Sequence, residues 1–134
     1  MKDKNEESNE KKQEILFKLS LFEQQINQLQ QQLQSVERGI IDLSSLELEL
    51  DDLKGSNGKE ILAPVGRGIF AKAKLLSEDL IMDVGGKNFV KKTIPETQDI
   101  IKGQIKKLEQ IKSQLQKNSD EISREAEKLI KDLN

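Results

Sequence analysis

From Ile15 onward, apolar residues recur at alternating steps of four and three: Ile15, Leu19, Phe22, Ile26, Leu29, Leu33, Val36, Ile40 and Leu43. This is the a/d spacing of a coiled coil, and it predicts a helix over 13–54 with one apolar seam. After Leu43 the pattern reads as a short phase slip to Leu46, Leu50 and Leu53, which alters a supercoil locally. Leu46–Leu50 also alternates with period two, so a strand stays open as the minor alternative there. Gly55-Ser56-Asn57-Gly58 has the composition of a helix stop. A second seam runs through Ile101, Ile105, Leu108, Leu115, Ile122, Ala126, Leu129 and Leu133, with Lys112 and Ser119 at seam positions. Polar residues there weaken a seam but help to fix its register. Thr93-Ile94-Pro95-Glu96 reads as the start of this helix, predicted over 95–134, because proline suits the first turn and acids suit the N-terminal dipole.

Between the helices, residues 59–94 change period. Glu60–Val65 is a short apolar run closed by Gly66-Arg67-Gly68. In Ile69–Leu76, Ile69, Ala71, Ala73 and Leu75 alternate with Lys72 and Lys74. Ser77-Glu78-Asp79 is a turn by composition. Leu80–Val84 alternates again, with Leu80, Met82 and Val84 opposite Asp83. Gly85-Gly86-Lys87-Asn88 is a second turn, and Phe89–Ile94 is a last strand. Four strands with these connections predict two β-hairpins. So small a sheet has unpaired edges and too little core to stand alone. The strands are therefore expected to form a subunit interface through Ile61, Leu62, Val65, Ile69, Phe70, Leu80, Met82, Val84 and Phe89.

The predicted fold class is α+β: a long antiparallel two-helix coiled coil with two β-hairpins inserted between the helices, forming one domain over residues 1–134. Each helix of about 40 residues would extend about 60 Å at 1.5 Å per residue. Folding back brings the chain ends together, away from the strands. Residues 1–12, MKDKNEESNEKK, are polar and aperiodic and read as a flexible tail.

Composition narrows the function. The chain has 134 residues, of which 34% are apolar, and its 22 basic and 24 acidic side chains leave a net charge of −2. That balance argues against a nucleic-acid binder working through a broad basic field. Cysteine and histidine are absent, which removes thiol catalysis, Ser-His triads and ordinary zinc sites. Gly86-Lys87 resembles the end of a phosphate-binding loop, but Ile81 stands where that motif needs glycine and Asn88 where it needs Ser or Thr. Glu47, Glu49, Asp51 and Asp52 read as a solvated helix face rather than a cation site. No paired carboxylates suit acid/base work. The expectation is a non-enzyme without cofactor or metal. No apolar run reaches a membrane span and the first residues lack an apolar targeting core, so a cytoplasmic protein is expected.

The apolar residues that the seam does not use are informative. With Ile15 at position d, Leu16, Phe17 and Leu21 lie off the seam, and Phe17 and Leu21 share the outer face. Outer positions from Glu23 to Arg38 are polar throughout, so the surplus reads as confined to the end of the helix pair. Ile130, beside seam residue Leu129, adds to it from the second helix. Apolar surface at the end of a polar stalk points to binding; packing against a neighbouring arm, or simple fraying of the helix ends, explains it equally well.

Glu60-Ile61-Leu62-Ala63-Pro64-Val65-Gly66 with Phe70, then Val84-Gly85-Gly86 with Phe89, resembles the alpha class of prefoldin subunits. The resemblance covers the chain from about Gln13 onward, and two hairpins separate this class from the single-hairpin beta class. The family pattern often has an acid after the last turn, where this chain has Lys91-Lys92. The resemblance implies a hexamer of two alpha and four beta subunits with a β-barrel platform and six coiled coils. It also implies an ATP-independent chaperone whose arm ends, here Leu16, Phe17, Leu21, Ile130 and Leu133, hold non-native proteins for a group II chaperonin. The alternative is a structural coiled-coil tether binding one folded partner; it explains the seams, but not four strands between equal arms.

Overall fold

The computed structural model describes residues 4–133. Helix α1 spans Lys4–Leu53 and helix α2 spans Ile94–Leu133. Between them lie β1 (Glu60–Gly66), β2 (Ile69–Lys74), β3 (Leu80–Asp83) and β4 (Phe89–Lys92). The strands form two separate antiparallel hairpins, β1–β2 and β3–β4. The chain divides into two compact units: residues 39–107, which hold both hairpins, and residues 4–38 with 108–133, which hold the remaining helix.

The heptad reading holds along both helices. Every seam residue from Ile15 to Leu43 is half-buried, while its neighbours on the outer face are exposed. On α2 the positions Ile105, Leu108, Lys112, Leu115, Ser119, Ile122, Ala126, Leu129 and Leu133 are likewise half-buried, and Ile101 is buried. Both units show antiparallel pairing. In the first, Glu37 bridges Lys112 at 3.6 Å, and Val36 shares a groove wall with Ile111 and Leu115. In the second, Glu47 bridges Lys102 at 3.6 Å and Asp51 bonds Gln98, so moving four residues along α1 moves four residues back along α2.

The expected slip to Leu46, Leu50 and Leu53 fails at its first step, directly after Leu43, while Leu50 and Leu53 do face the core. Seven residues beyond Ile40 and Leu43 lie Glu47 and Leu50, and these hold the seam, Glu47 half-buried and Leu50 buried; Leu46 stays exposed. A carboxylate is tolerated in the seam because the opposite helix answers it. Gln98, itself buried, donates to the Glu47 carbonyl at 3.5 Å and to the Asp51 carboxylate at 2.6 Å, and Lys102 faces the Glu47 side chain. The result is a polar layer whose buried groups are satisfied and whose pairing works in one register only. Leu50, Ile94 and Ile101 form the core beside this layer, with Leu43, Leu53, Ile105 and Leu80 of β3 packed against them.

Several boundaries differ from the sequence reading: β2 ends at Lys74 rather than Leu76, and β3 at Asp83 rather than Val84. The predicted tail over 1–12 is helical from Lys4, and residues 1–3 lie outside the described residues. Glu6 and Glu7 sit in the first turn, where the helix dipole favours acids, and Glu7 precedes Lys11 by four residues, the favourable order for an i,i+4 pair. The last strand ends at Lys92 rather than Ile94. Thr93 takes over as a helix cap, its Oγ1 accepting from the Glu96 amide at 3.2 Å, and this places Ile94, only 2% exposed, inside the helix and the core.

The connections fold as their residues dictate. Gly55, with φ of 74°, ends α1 in the left-handed conformation that glycine adopts without strain. Its amide donates to Glu78 Oε1 at 2.6 Å, which ties the helix end to the connector between the hairpins. In the second hairpin the Asp83 carboxylate accepts from the Gly85 amide at 2.8 Å. Gly85, Gly86 and Lys87 then turn through positive φ.

The polar layer makes a pH prediction. The Gln98 amide, then the Lys54 ammonium, holds the Asp51 carboxyl below its ordinary 3.8. A depressed native value stabilises the fold fully above the unfolded value, and that stabilisation is lost as pH falls through the native one. Asp51→Asn should therefore lower the melting temperature at neutral pH, and the gap to wild type should close as the pH is taken below 3.8. Thermal melts followed by circular dichroism at a series of pH values check this; a gap independent of pH would assign no such part to the charge.

Candidate functional site

Two exposed apolar surfaces stand out, one in each unit. In the unit without strands, Leu16, Phe17 and Leu21 are exposed on α1, Phe17 by 67%, and Ile130 is exposed on α2. They flank the point where Ile15 and Lys18 line a cavity with Leu129, Asp132 and Leu133. The structure thus brings the five predicted binding residues to the same end of the helix pair, four of them exposed. The fifth, Leu133, is half-buried in the seam. Glu10, Gln13 and Glu14 share a shallow groove with Phe17, so Phe17 sits in a strongly polar setting.

The second surface is the pair of hairpins. Register on β1–β2 places Ile61 opposite Ala73 and Ala63 opposite Ala71 on one face, and Leu62 opposite Lys72 and Pro64 opposite Phe70 on the other. Leu62, Val65, Ile69 and Phe70 are exposed, while Ile61 is half-buried. On β3–β4, Leu80 and Met82 with Val90 and Lys92 form the half-buried face, and Ile81 and Asp83 with Phe89 and Lys91 form the exposed one. Leu80 packs against the helices of its own chain, so it serves the internal core. Val84 and Phe89 are exposed.

Reading the sequence missed three exposed groups. Ile81 is 74% exposed; alternation places it beside Asp83 and opposite Leu80, but it lay inside a run read for its Leu80 face. Ile41 and Leu48, seven residues apart on the outer face of α1, are also exposed. The apolar surplus is therefore not confined to the end of the helix pair, and continuing the outer-position reading past Arg38 finds it. Leu76, in the connector, is the third.

The four-acid stretch Glu47, Glu49, Asp51 and Asp52 is divided between uses. Glu47 and Asp51 bind Gln98 and lysines, and no group of three or more acidic side chains among the described residues is placed to hold a metal. Among the described residues no helix is long and apolar enough to cross a membrane.

Paired helices joined by two hairpins, with apolar surface on the strands and at the helix ends, have clear relatives. The family model for Prefoldin subunit matches residues 22–134. Prefoldin subunit alpha of Methanobrevibacter smithii is 31% identical over 118 residues, covering 87% of this chain and 81% of that protein. Prefoldin subunit alpha of Methanococcus aeolicus is 30% identical over 129 residues, covering 93% and 86%. A chain from the cryo-EM structure of filamentous PFD from Methanocaldococcus jannaschii superposes with a TM-score of 0.74 over 84% of this chain and 95% of that one, at 24% identity, which attests the same fold. On this evidence the chain belongs to the prefoldin family, as a subunit of its alpha class.

Proposed function

We propose that this chain works as a chaperone subunit that holds non-native proteins on Leu16, Phe17, Leu21 and Ile130, without ATP, and passes them to a group II chaperonin. It does so in the cytoplasm, as one of two alpha subunits joined by four beta-type subunits. Prefoldin alpha subunits assemble with other prefoldin subunits; the beta partner, the clients and the chaperonin are this reading's own extension. It involves neither catalysis nor cofactor.

The observation that carries it is the exposure of Leu16, Phe17, Leu21 and Ile130 near one end of the helix pair. Such surface is costly to leave in water unless something covers it. Unfolded chains expose apolar side chains without a fixed geometry, and exposed apolar side chains on a helix surface suit that irregularity. Each side chain contributes about 1.5–3 kcal/mol when fully covered, so one arm binds weakly and several arms together hold firmly.

Two tests follow. Phe17→Ser with Leu21→Ser leaves the seam untouched and should weaken holding only in part, because alpha supplies two of the six arms in this arrangement. The readout is soluble yield of a denatured enzyme diluted into the assembled complex, with mass and melting measured alongside. Undiminished holding by a correctly assembled variant would remove the alpha arm from client capture. For the assembly, Ile69→Asp places a carboxylate in a dry subunit contact at a cost of several kcal/mol. Native mass measurement should show the complex lost while helix content survives, and an intact complex would refute that contact. Leu80 is unsuitable for this purpose because its substitution also damages the chain's own core.

A further inference from the structure

We propose that Asn57 is a site of spontaneous covalent modification, converted by its own backbone to aspartate and isoaspartate. The bond from the Gly58 amide to the Leu75 carbonyl restrains this reaction, so that conversion records opening of the first hairpin at its base. The proposal concerns the joint between α1 and β1 and is independent of what the subunit binds.

The sequence supplies the reactive pair. Asn57 alone among the asparagines of this sequence is followed by glycine. With no Cβ on that next residue, nothing hinders the main-chain nitrogen from reaching the asparagine side chain, and the freedom of glycine lets the chain take the conformation that this approach requires. In the reaction the Gly58 nitrogen, having lost its proton, attacks Asn57 Cγ. A C–N bond forms and closes a five-membered succinimide, and the side-chain nitrogen leaves as ammonia. Water then opens the ring. Breaking the bond from nitrogen to Cγ gives aspartate. Breaking the bond from nitrogen to the main-chain carbonyl carbon gives isoaspartate, whose main chain runs through Cβ and Cγ. Water is the only co-reactant, and nothing is oxidised or reduced.

The structure shows both exposure and restraint. Asn57 and Gly58 are exposed, and among the described residues the Asn57 side chain has no hydrogen-bond partner. The Gly58 nitrogen, by contrast, donates to the Leu75 carbonyl at 2.7 Å. The Leu75 amide donates back to the Lys59 carbonyl at 3.0 Å, and the Lys59 amide closes a four-residue turn on the Ser56 carbonyl at 2.9 Å. Gly58 and Lys59 together thus oppose Leu75, a bulge just beyond the terminal β1–β2 pair of Glu60 and Lys74. Gly58 has a φ of 81°, while Asn57 keeps a negative φ. Ser56–Lys59 is therefore a type II turn, with Asn57 second and Gly58 third.

Two barriers follow from this geometry. The Gly58 N–H must give up its proton before the nitrogen can attack, and a short bond to a carbonyl occupies that proton. A type II turn also sets ψ of its second residue at about 120°, which turns the Gly58 nitrogen away from the Asn57 side chain, whereas ring closure needs it eclipsed with Cβ. Both barriers fall only when the Gly58–Leu75 bond breaks and the turn opens. Asn27 and Asn118 lie inside α1 and α2 and precede Gln28 and Ser119, and Asn88 precedes the bulky Phe89, so none of these competes. Conversion is one-way: isoaspartate lengthens the main chain inside a four-residue turn, so the turn cannot close as before and the base of the hairpin stays loosened.

The full chain is incubated at mildly alkaline pH below its melting temperature and, in parallel, in concentrated urea. Mass spectrometry of proteolytic peptides follows Asn57, with Asn27, Asn88 and Asn118 as references. Asn57 should convert fastest in urea, and at least about tenfold more slowly in the native chain, the factor set by a local opening populated about one time in ten or less. Hydrogen exchange at the Gly58 amide reports the same opening, so its protection should match the slowing. Leu75→Pro removes the N–H that donates to Lys59; it should bring the Asn57 rate toward that in urea while circular dichroism shows the helices intact. Equal rates in the native chain and in urea overturn the proposal, as does an Asn57 that fails to outpace the other three in urea. A freely exchanging Gly58 amide beside slow conversion, or a folded Leu75→Pro chain with an unchanged rate, refutes the restraint by Leu75. Should Leu75→Pro fail to fold, the comparison with urea and the exchange of Gly58 decide the matter in the wild-type chain.

Discussion

Everything in this subunit follows from two hairpins that end in open edges. Only three apolar side chains, Leu50, Ile94 and Ile101, are buried among the described residues, and all three belong to the helices. The strands contribute Leu80 to that core and leave most of their own apolar surface uncovered. A two-stranded sheet satisfies half of its backbone groups and offers the rest to whatever approaches. The two separate hairpins thus leave their outer edges unpaired in this chain, and the proposed assembly with other subunits would give those edges a use.

The helices solve a different problem, that of holding a fixed register over a thin seam. An a/d seam between two helices tolerates sliding if every layer is apolar. Here the Glu47–Gln98–Asp51 layer with Lys102, and the Glu37–Lys112 pair, are satisfied only when particular turns face each other. Polar seam residues trade some stability for a single alignment. The layer adjoins the core that receives Leu80 and lies within two turns of Gly55, whose amide is held by Glu78. Register and hairpin placement are consequently set at one end of the helices.

Most of the architecture is legible in the sequence because it rests on periodicity and turn chemistry. Ile15 through Leu43 lie where their four-three spacing puts them, and Gly66-Arg67-Gly68 and Gly85-Gly86 turn where glycine permits positive φ. What escaped depends on partners distant in the chain. Glu47 looks like a break in an apolar seam until Gln98 and Lys102 are placed opposite it. Residues 4–12 lack apolar periodicity, yet Glu and Lys propensity with dipole and i,i+4 charges carries a helix there. Alternation assigns side chains to faces but not peptide groups to edges. With Leu75 and Val84 bonded inside their hairpins and bonded positions alternating, the peptides of Phe70, Lys72, Lys74 and Lys91 point outward, a direction that emerges only from the bonded pairs. For the candidate surfaces, composition locates Phe17 and Leu21, but burial of Leu133 and exposure of Ile81 depend on packing.

The claim that the strands are completed by other chains is tested most directly by amide hydrogen exchange on this subunit alone and within an assembled complex. Bonded amides in the helical core around Leu50 and Ile101 should be protected in both states. The amides of Phe70, Lys72, Lys74 and Lys91, directed to open edges, should exchange freely in the lone subunit and become protected on assembly. Protection of those amides in the lone subunit, or their free exchange in the complex, would contradict the account.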